Sequence, residues 1–538
     1  MAITLGEYLI KLLERFDVDH VFGIPGVHTA ELYRGLTKSS IKHVTPRHEQ
    51  GASFAADGYA RMSGKPGVCL LITGPGLTNA ITGIGQAYAD SIPMLVLSGV
   101  NATRDLGHGN GRLHELPNQQ ALMSQVTEFS HTLTCADDIL SVLERAYAVF
   151  ESARPRPVHI EIPLDLMGAD ASHLPLPAPR TPNVPPYIAP SQAQKCAEMC
   201  NAAQQPIILA GGGAIRAADA LQRLAERLNA PVVTTTGARG VLGKDHPLAL
   251  NASPSMEAVR ELVAQADLTI AVGTELGQTD YDVYAKGPFV PGGKLMRIDI
   301  DAKQLKRNIP ADLEILSDAS AALNEIADRL PDTPRANPLA VQIETVRTAV
   351  EQGLSPLYAD VSRSFGRLWD ALPDAVFVGD STQPVYAGND LLPIPASGRW
   401  FNSATGFGTL GYALPAAIGA KIAAGDRPVV AIAGDGGAQF TLTEMAMSVE
   451  AGIPISMILW DNACYLEISN FMNDINVGPI AVDLKSPDFA AIGKAYGWNV
   501  IRVRSEAEMI EAIANTEKTQ QSTLILGVED LFDAGARA

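Results

Sequence analysis

Three stretches of this 538-residue chain repeat one grammar: a glycine-rich strand end, a helix, a proline-marked break, then a further apolar strand. They are ITGPGLTN with AYADSIPMLVLSG (72–99), ILAGGGAIRAADALQRLAERLNAPVVTTTG (208–237), and VVAIAGDGG through SVEAGIPISMILW (429–460). Alternating strands and helices of this kind predict parallel sheets covered on both faces, so the fold class is α/β with three doubly wound domains. Length agrees, because 538 residues exceed what one core supports. Proline-rich tracts at His173–Pro190 and Leu330–Pro338 read as linkers. The expected domains are 1–170, 185–335 and 345–538.

The last third carries the sharpest constellation. Val429–Gly434 reads as a buried strand and Ser456–Trp460 as a second. Asp435 and Asn462 then fall at the carboxyl ends of these strands, where open α/β sheets bind ligands. Thr441 and Glu444 have capping-box spacing, which predicts a helix from there to about Ala451. A carboxylate and an amide oxygen beside glycine backbone suit Mg²⁺, which keeps phosphate and water oxygens in its shell. The Cys464 carbonyl is a candidate third ligand; its thiol is too soft. A GDG turn and an Asp-Asn strand end are each common without function. Their combination, with 461 − 436 = 25 residues between the GDG and Asn462, is far more specific.

That combination resembles the thiamine diphosphate motif of the acetolactate synthase and pyruvate decarboxylase superfamily. Glu49, after the Val21–His28 turn and before AADGYAR and TGPGLTN, resembles the acid of that family's pyrimidine-binding domain. Locally, an acid in a first helical turn is also explained by the helix dipole alone. GDSTQPVYAG (379–388) and GFGTLGYALPAAIGA (406–420) resemble family elements that wrap the cofactor, so the likeness spans nearly the whole chain. It implies pyrimidine-binding, central and diphosphate-binding domains. Glu49 then matches the carboxylate that hydrogen-bonds the aminopyrimidine, Leu410 the wedge under the bent cofactor, and the Gly408 carbonyl the acceptor for its amino group. Asp435, Asn462 and Cys464 match the Mg²⁺ ligands, with Thr382, Gln383, Gly436 and Gly437 near the diphosphate. In relatives the pyrimidine and diphosphate domains meet across two chains, which implies a homodimer or homotetramer. Gly211–Gly213 is a weak dinucleotide signal, and with no Arg/Lys constellation beside it FAD is not expected.

Substrate is read from departures. The first glycine turn continues Val27-His28, as in benzaldehyde lyase, and no paired His-His follows as in pyruvate decarboxylases. Leu113-His114 stands where acetolactate synthases carry Phe-Gln. GNGRLHELPNQ (109–119) and YLEI (465–468) resemble the 5-guanidino-2-oxopentanoate (2-ketoarginine) decarboxylases. His28 and His114 are expected to protonate the reacting carbon or orient the carboxylate. Glu467 either caps the helix near Tyr465 or reads a guanidinium tail; Glu115 and Asp380 are reserves. The expected reaction is decarboxylation of a 2-oxo acid, with a carboligase or lyase as the alternative.

The formal charge of −18 speaks against nucleic acid or an anionic membrane surface as partner. The N-terminal stretch has charges within its amphipathic pattern, unlike a signal peptide. Five scattered cysteines at no zinc spacing fit reduced thiols, and a cytoplasmic enzyme is expected.

Overall fold

A computed structural model describes residues 3–282 and 287–532. Most of the tail past Asp530, residues 533–538, lies outside the described residues. The N-terminal amphipathic pattern is a helix, Leu5–Arg15, with a complete capping box from Thr4 and Glu7.

Three parallel sheets follow in chain order. The first holds β1 (His20–Gly23), β2 (Lys42–Val44), β3 (Gly67–Leu71), β4 (Met94–Val100), β5 (Phe129–Thr132) and β6 (Val158–Pro163). The second holds β7 (Pro206–Ala210), β8 (Val232–Thr234), β9 (Leu268–Val272), β10 (Lys294–Asp299) and β11 (Leu313–Leu316). The third holds β12 (Val376–Gly379), β13 (Trp400–Asn402), β14 (Val429–Gly434), β15 (Ser456–Trp460), β16 (Asn499–Arg502) and β17 (Thr523–Leu526). Their orders are β2-β1-β3-β4-β6-β5, β8-β7-β9-β10-β11 and β13-β12-β14-β15-β17-β16. The sequence grammar produces this because strands covered on both faces need continuous apolar runs: β3, β4, β6, β7, β9 and β15 are buried at every residue.

The central domain has its own core, joined by Ile343, Val346 and Val350 of the Ile343–Gly353 helix. The outer domains share one. Its seam is a pair of helices, Glu49–Ser63 and Ala413–Ala424, whose small residues let backbones touch. A Cβ on Gly58 would sit 2.0 Å from the Ala416 carbonyl oxygen, and one on Gly419 would sit 1.9 Å from that of Ala55. As numbers rise along one helix they fall along the other, so the two run antiparallel. Partly buried Arg61 closes one end, bonding Asp57 and Asp90 at 2.6 Å each, while the Tyr412 hydroxyl donates to Asp57.

One local expectation fails. Thr441 and Glu444 do not form a capping box: a 3₁₀ turn covers Leu442–Glu444 and the α-helix starts at Met445. The Thr441 hydroxyl donates instead to the Gly411 carbonyl at 2.8 Å. The Glu444 carboxylate crosses to the first domain and accepts the Arg47 and His48 backbone N–H groups at 3.0 Å. A tertiary helix end outcompetes the local one.

Candidate active site

At the third sheet's edge, β14 and β15 pair with Gly434 opposite Trp460, which brings Asp435 beside Asp461 and Asn462. Burial and the Asp461 charge push the Asp435 carboxyl up. Asn462 Oδ1 accepts the Cys464 N–H at 3.2 Å across a tight turn with Ala463 at φ +53°. Gln383 Oε1 accepts from Asn462 Nδ2 at 3.2 Å and from Trp460 Nε1 at 3.1 Å, orienting the amide. Among the described residues no three His, Cys, Asp or Glu side chains group for a metal. A cation here would draw on Asp435, the Asn462 amide, a carbonyl such as that of Cys464, and ligand phosphate. That donor set is all oxygen and fits Mg²⁺.

Glycine makes room along this edge. A Cβ on Gly436 would meet the Tyr465 ring at 2.4 Å, and one on Gly437 would lie 3.5 Å from Leu410. Thr382 packs its hydroxyl against Gly434. Gly408 is exposed at φ +72° with open space where a side chain would be, so its backbone is reachable by a ligand. Asp380 is buried and accepts the Gly411 and Ser381 N–H groups at 2.8 Å, its carboxyl pushed up to about 6 by burial. It pins the Leu410 turn and is not placed to meet a substrate tail.

At the first sheet's edge, two separate loops bring His28 and His114 together, ring centroids 5.3 Å apart and edge-on. The paired histidines absent from the sequence are thus present in space. His28 is buried with Nδ1 unpartnered, and burial with the neighbouring His114 holds its pKa low, favouring the neutral ring. His114 has φ +59°, a left-handed conformation costly for a side chain. Its surroundings enforce it: Asn101 Nδ2 donates to the Leu113 carbonyl at 3.0 Å, and a Cβ on Gly74 would meet the His114 carbonyl oxygen at 2.4 Å. Val27 and Leu113 flank the pair with exposed side chains. Glu115 turns back on its own loop, accepting the Gly109 and Arg112 N–H groups at 2.9 Å. It is a loop staple, which removes it as a tail reader.

Glu49 begins the seam helix, buried, with Asn79 Nδ2 donating to its Oε2 at 2.9 Å. Within one chain it does not reach the Gly408–Leu410 turn. Tyr412, beside that turn, bonds Asp57, and Glu49 lies 57 − 49 = 8 residues further, about 12 Å along the helix axis.

Glu467 does not cap its helix. The helix runs Leu466–Asp474 with no side-chain cap bond, and Glu467 Oε1 accepts the Tyr358 hydroxyl at 2.8 Å and Gln383 Nε2 at 3.5 Å. In the central domain, a Cβ on Gly211 would lie 2.3 Å from the Gly273 carbonyl oxygen and one on Gly213 would lie 2.9 Å from Gly273. Packing of two strand-end loops accounts for those glycines.

Sequence reasoning missed Asn79, Glu444, Gln119 and Tyr358. Gln119 ties the Gly74 N–H, the Gly99 carbonyl and Glu161 together at 2.9–3.0 Å. Asn79 and Gln119 had a local signal, as the last residues of TGPGLTN and GNGRLHELPNQ, while Glu444 was read only as a helix cap.

Comparison with known proteins adds three family matches: residues 3–122 to the thiamine pyrophosphate enzyme N-terminal TPP binding domain, 193–326 to its central domain, and 380–526 to its C-terminal TPP binding domain. A probable 2-ketoarginine decarboxylase from Pseudomonas aeruginosa is 44% identical over 93% of this chain and 89% of its own length. A probable acetolactate synthase large subunit from Methanocaldococcus jannaschii is 31% identical over 98% of this chain and 92% of its own. An acetolactate synthase from Mycobacterium bovis is 33% identical over 95% and 85%.

Proposed function

The chain belongs to the thiamine pyrophosphate enzyme family, and from that premise we propose that it decarboxylates a 2-oxo acid, 5-guanidino-2-oxopentanoate, to an aldehyde and CO₂ with thiamine diphosphate and Mg²⁺. One observation carries the substrate: Glu467 stands one side chain from Asn462, through Gln383, and makes no salt bridge among the described residues. The relative described as a probable 2-ketoarginine decarboxylase supports the same choice.

When bound, thiamine diphosphate supplies the nucleophilic carbon and the electron sink for loss of CO₂. Asp435, Asn462 and the Cys464 carbonyl hold Mg²⁺; Gly436, Gly437, Thr382 and Gln383 line the diphosphate; the Gly408 carbonyl and Leu410 support the ring end. Glu49, oriented by Asn79, hydrogen-bonds the aminopyrimidine. His28 and His114 face the substrate carboxylate, the neutral His28 ring being able to take or give one proton. Val27 and Leu113 offer apolar contact to the substrate beside that pair. Because Glu49 and the Leu410 turn sit at opposite ends of the seam, each site draws its acid from a second copy. Exposed Phe407, Phe440, Ile468 and Phe471 are apolar surface for that association. We assign no flavin, since close packing against Gly273 accounts for Gly211 and Gly213.

The acetolactate synthase relatives and the His28 turn favour a second reading, carboligation or lyase chemistry on the same site. Turnover of 2-ketoarginine, pyruvate and benzoin, following CO₂, aldehyde and acyloin, separates the two; acetolactate as main product overturns the decarboxylase. Glu467→Gln is expected to lose about 1.5–3 kcal/mol of kcat/KM on basic substrates only. Equal losses on neutral 2-oxo acids remove Glu467 as tail reader.

A further inference from the structure

A cavity of 410 Å³ opens where the central and third domains meet, with Gln383 in its wall. Met256, Leu354 and Leu357 give it apolar sides, and Tyr358, Asp390 and Glu467 give it polar ones. Among the described residues, none that lines it is Lys, Arg or His. We propose that this cavity is the tail pocket of the active site and that Tyr358 is the positioning residue that makes it selective for a guanidinium; the inference rests on the substrate reading above. The volume suits a small ligand. Its place follows from Gln383, which bonds Asn462 on one side and Glu467 on the other.

The hydrogen bonds set the selectivity. Tyr358 and Gln383 both bond Oε1 of Glu467, so Oε2 accepts from neither. Tyr358 spends its one proton on Glu467, and its own oxygen remains an acceptor. Burial and the Glu467 charge hold its pKa high, so the hydroxyl stays protonated. A guanidinium then finds two acceptors fixed relative to each other, Glu467 Oε2 and the Tyr358 oxygen. The planar fork of Arg-type groups needs such an arrangement more than the single point of an ammonium does. Three methylenes of the substrate chain fit the apolar sides.

Tyr358→Phe keeps the ring and removes the bond to Glu467. KM for 5-guanidino-2-oxopentanoate is expected to rise about tenfold with kcat within about twofold, while both constants for 2-oxohexanoate stay put. Calorimetry on thiamine diphosphate-loaded protein supplies a second readout: 5-guanidinopentanoate should bind about tenfold more weakly to Tyr358→Phe, and hexanoate equally to both proteins. Equal shifts for charged and neutral ligands, or no shift for either, overturn the inference. A variant set in which Glu467→Gln loses the basic preference and Tyr358→Phe retains it sinks the Tyr358 role alone. Retention of that preference by Glu467→Gln sinks the substrate reading beneath it.

Discussion

The first and third domains thread six parallel strands in one order, second-first-third-fourth-sixth-fifth, and use corresponding connections for different chemistry. After the first strand stand Val27-His28 in one and Thr382-Gln383 in the other. Beyond the second come the helix headed by Glu49 and the loop of Gly408 and Leu410. The third strand leads to Thr73-Gly74 or to Asp435-Gly436, and the fourth to the His114 loop or to Asn462 and Glu467. One edge offers imidazoles and a buried acid, suited to protons. Its counterpart offers carboxylate, amide and glycine backbone, suited to a cation and phosphate. The helices after the two second strands correspond, and they pack antiparallel. A helix after a parallel strand starts at the sheet's carboxyl edge, so within one chain the two edges lie at opposite ends of the seam. Topology alone therefore separates the Glu49 edge from the Asp435 edge, and under the function proposed above a second copy would reunite them.

The hardest test of this contrast is to damage each edge on a different chain. Glu49→Gln and Asp435→Ala alone should each lower kcat/KM by about 10²-fold or more. Mixed as subunits, they should recover about a quarter of wild-type activity, because half of randomly paired dimers hold one intact site. No recovery means that each chain builds its site alone. Next comes the seam: Gly58→Ala drives a methyl into the Ala416 carbonyl and should cost about 3 kcal/mol in urea unfolding. A cost below about 1 kcal/mol would show a seam looser than described.

Glu444, which links the two domains, offers a pH test. Burial pushes its carboxyl up to about 7, against backbone N–H donors that lower it. A raised folded pKa means the folded state binds more protons, so this contribution is full below about 4.5 and is lost as pH rises through about 7. Glu444→Gln cannot lose it. Its stability relative to wild type should climb by on the order of 2 kcal/mol between pH 4.5 and 7.5; a flat difference would show that Glu444 is already ionised. The smallest effect belongs to the His114 loop. Glu115→Gln weakens the staple and should lower kcat/KM by about threefold for basic and neutral substrates alike. Loss confined to basic substrates would return Glu115 to the tail.

The parallel sheets, the Asp435 and Asn462 edge and the helix start at Glu49 were legible because each is local: an apolar run, a glycine turn and a few residues at fixed spacing. Identification of the His28–His114 pair was half legible, since each loop shows its histidine but nothing in either shows that they meet. The Thr441 and Glu444 spacing misled for the same reason that it attracted. A capping box is a local competitor, and the exposed amides of Arg47 and His48 from almost 400 residues away made the better partner.

What the sequence determined by itself is the class of chemistry, through strand ends whose oxygen donors suit a metal bound to phosphate. What only tertiary structure decided is where those donors sit relative to everything else. Close approach of two small-residue helices left Glu49 about 12 Å along the seam from Asp57, whose partner Tyr412 adjoins the Gly408–Leu410 turn. Packing of Tyr358 onto Glu467 turned a helix-start acid into the wall of a cavity. Both outcomes depend on contacts between distant segments, whose energies come from burial and hydrogen bonds that no single stretch contains.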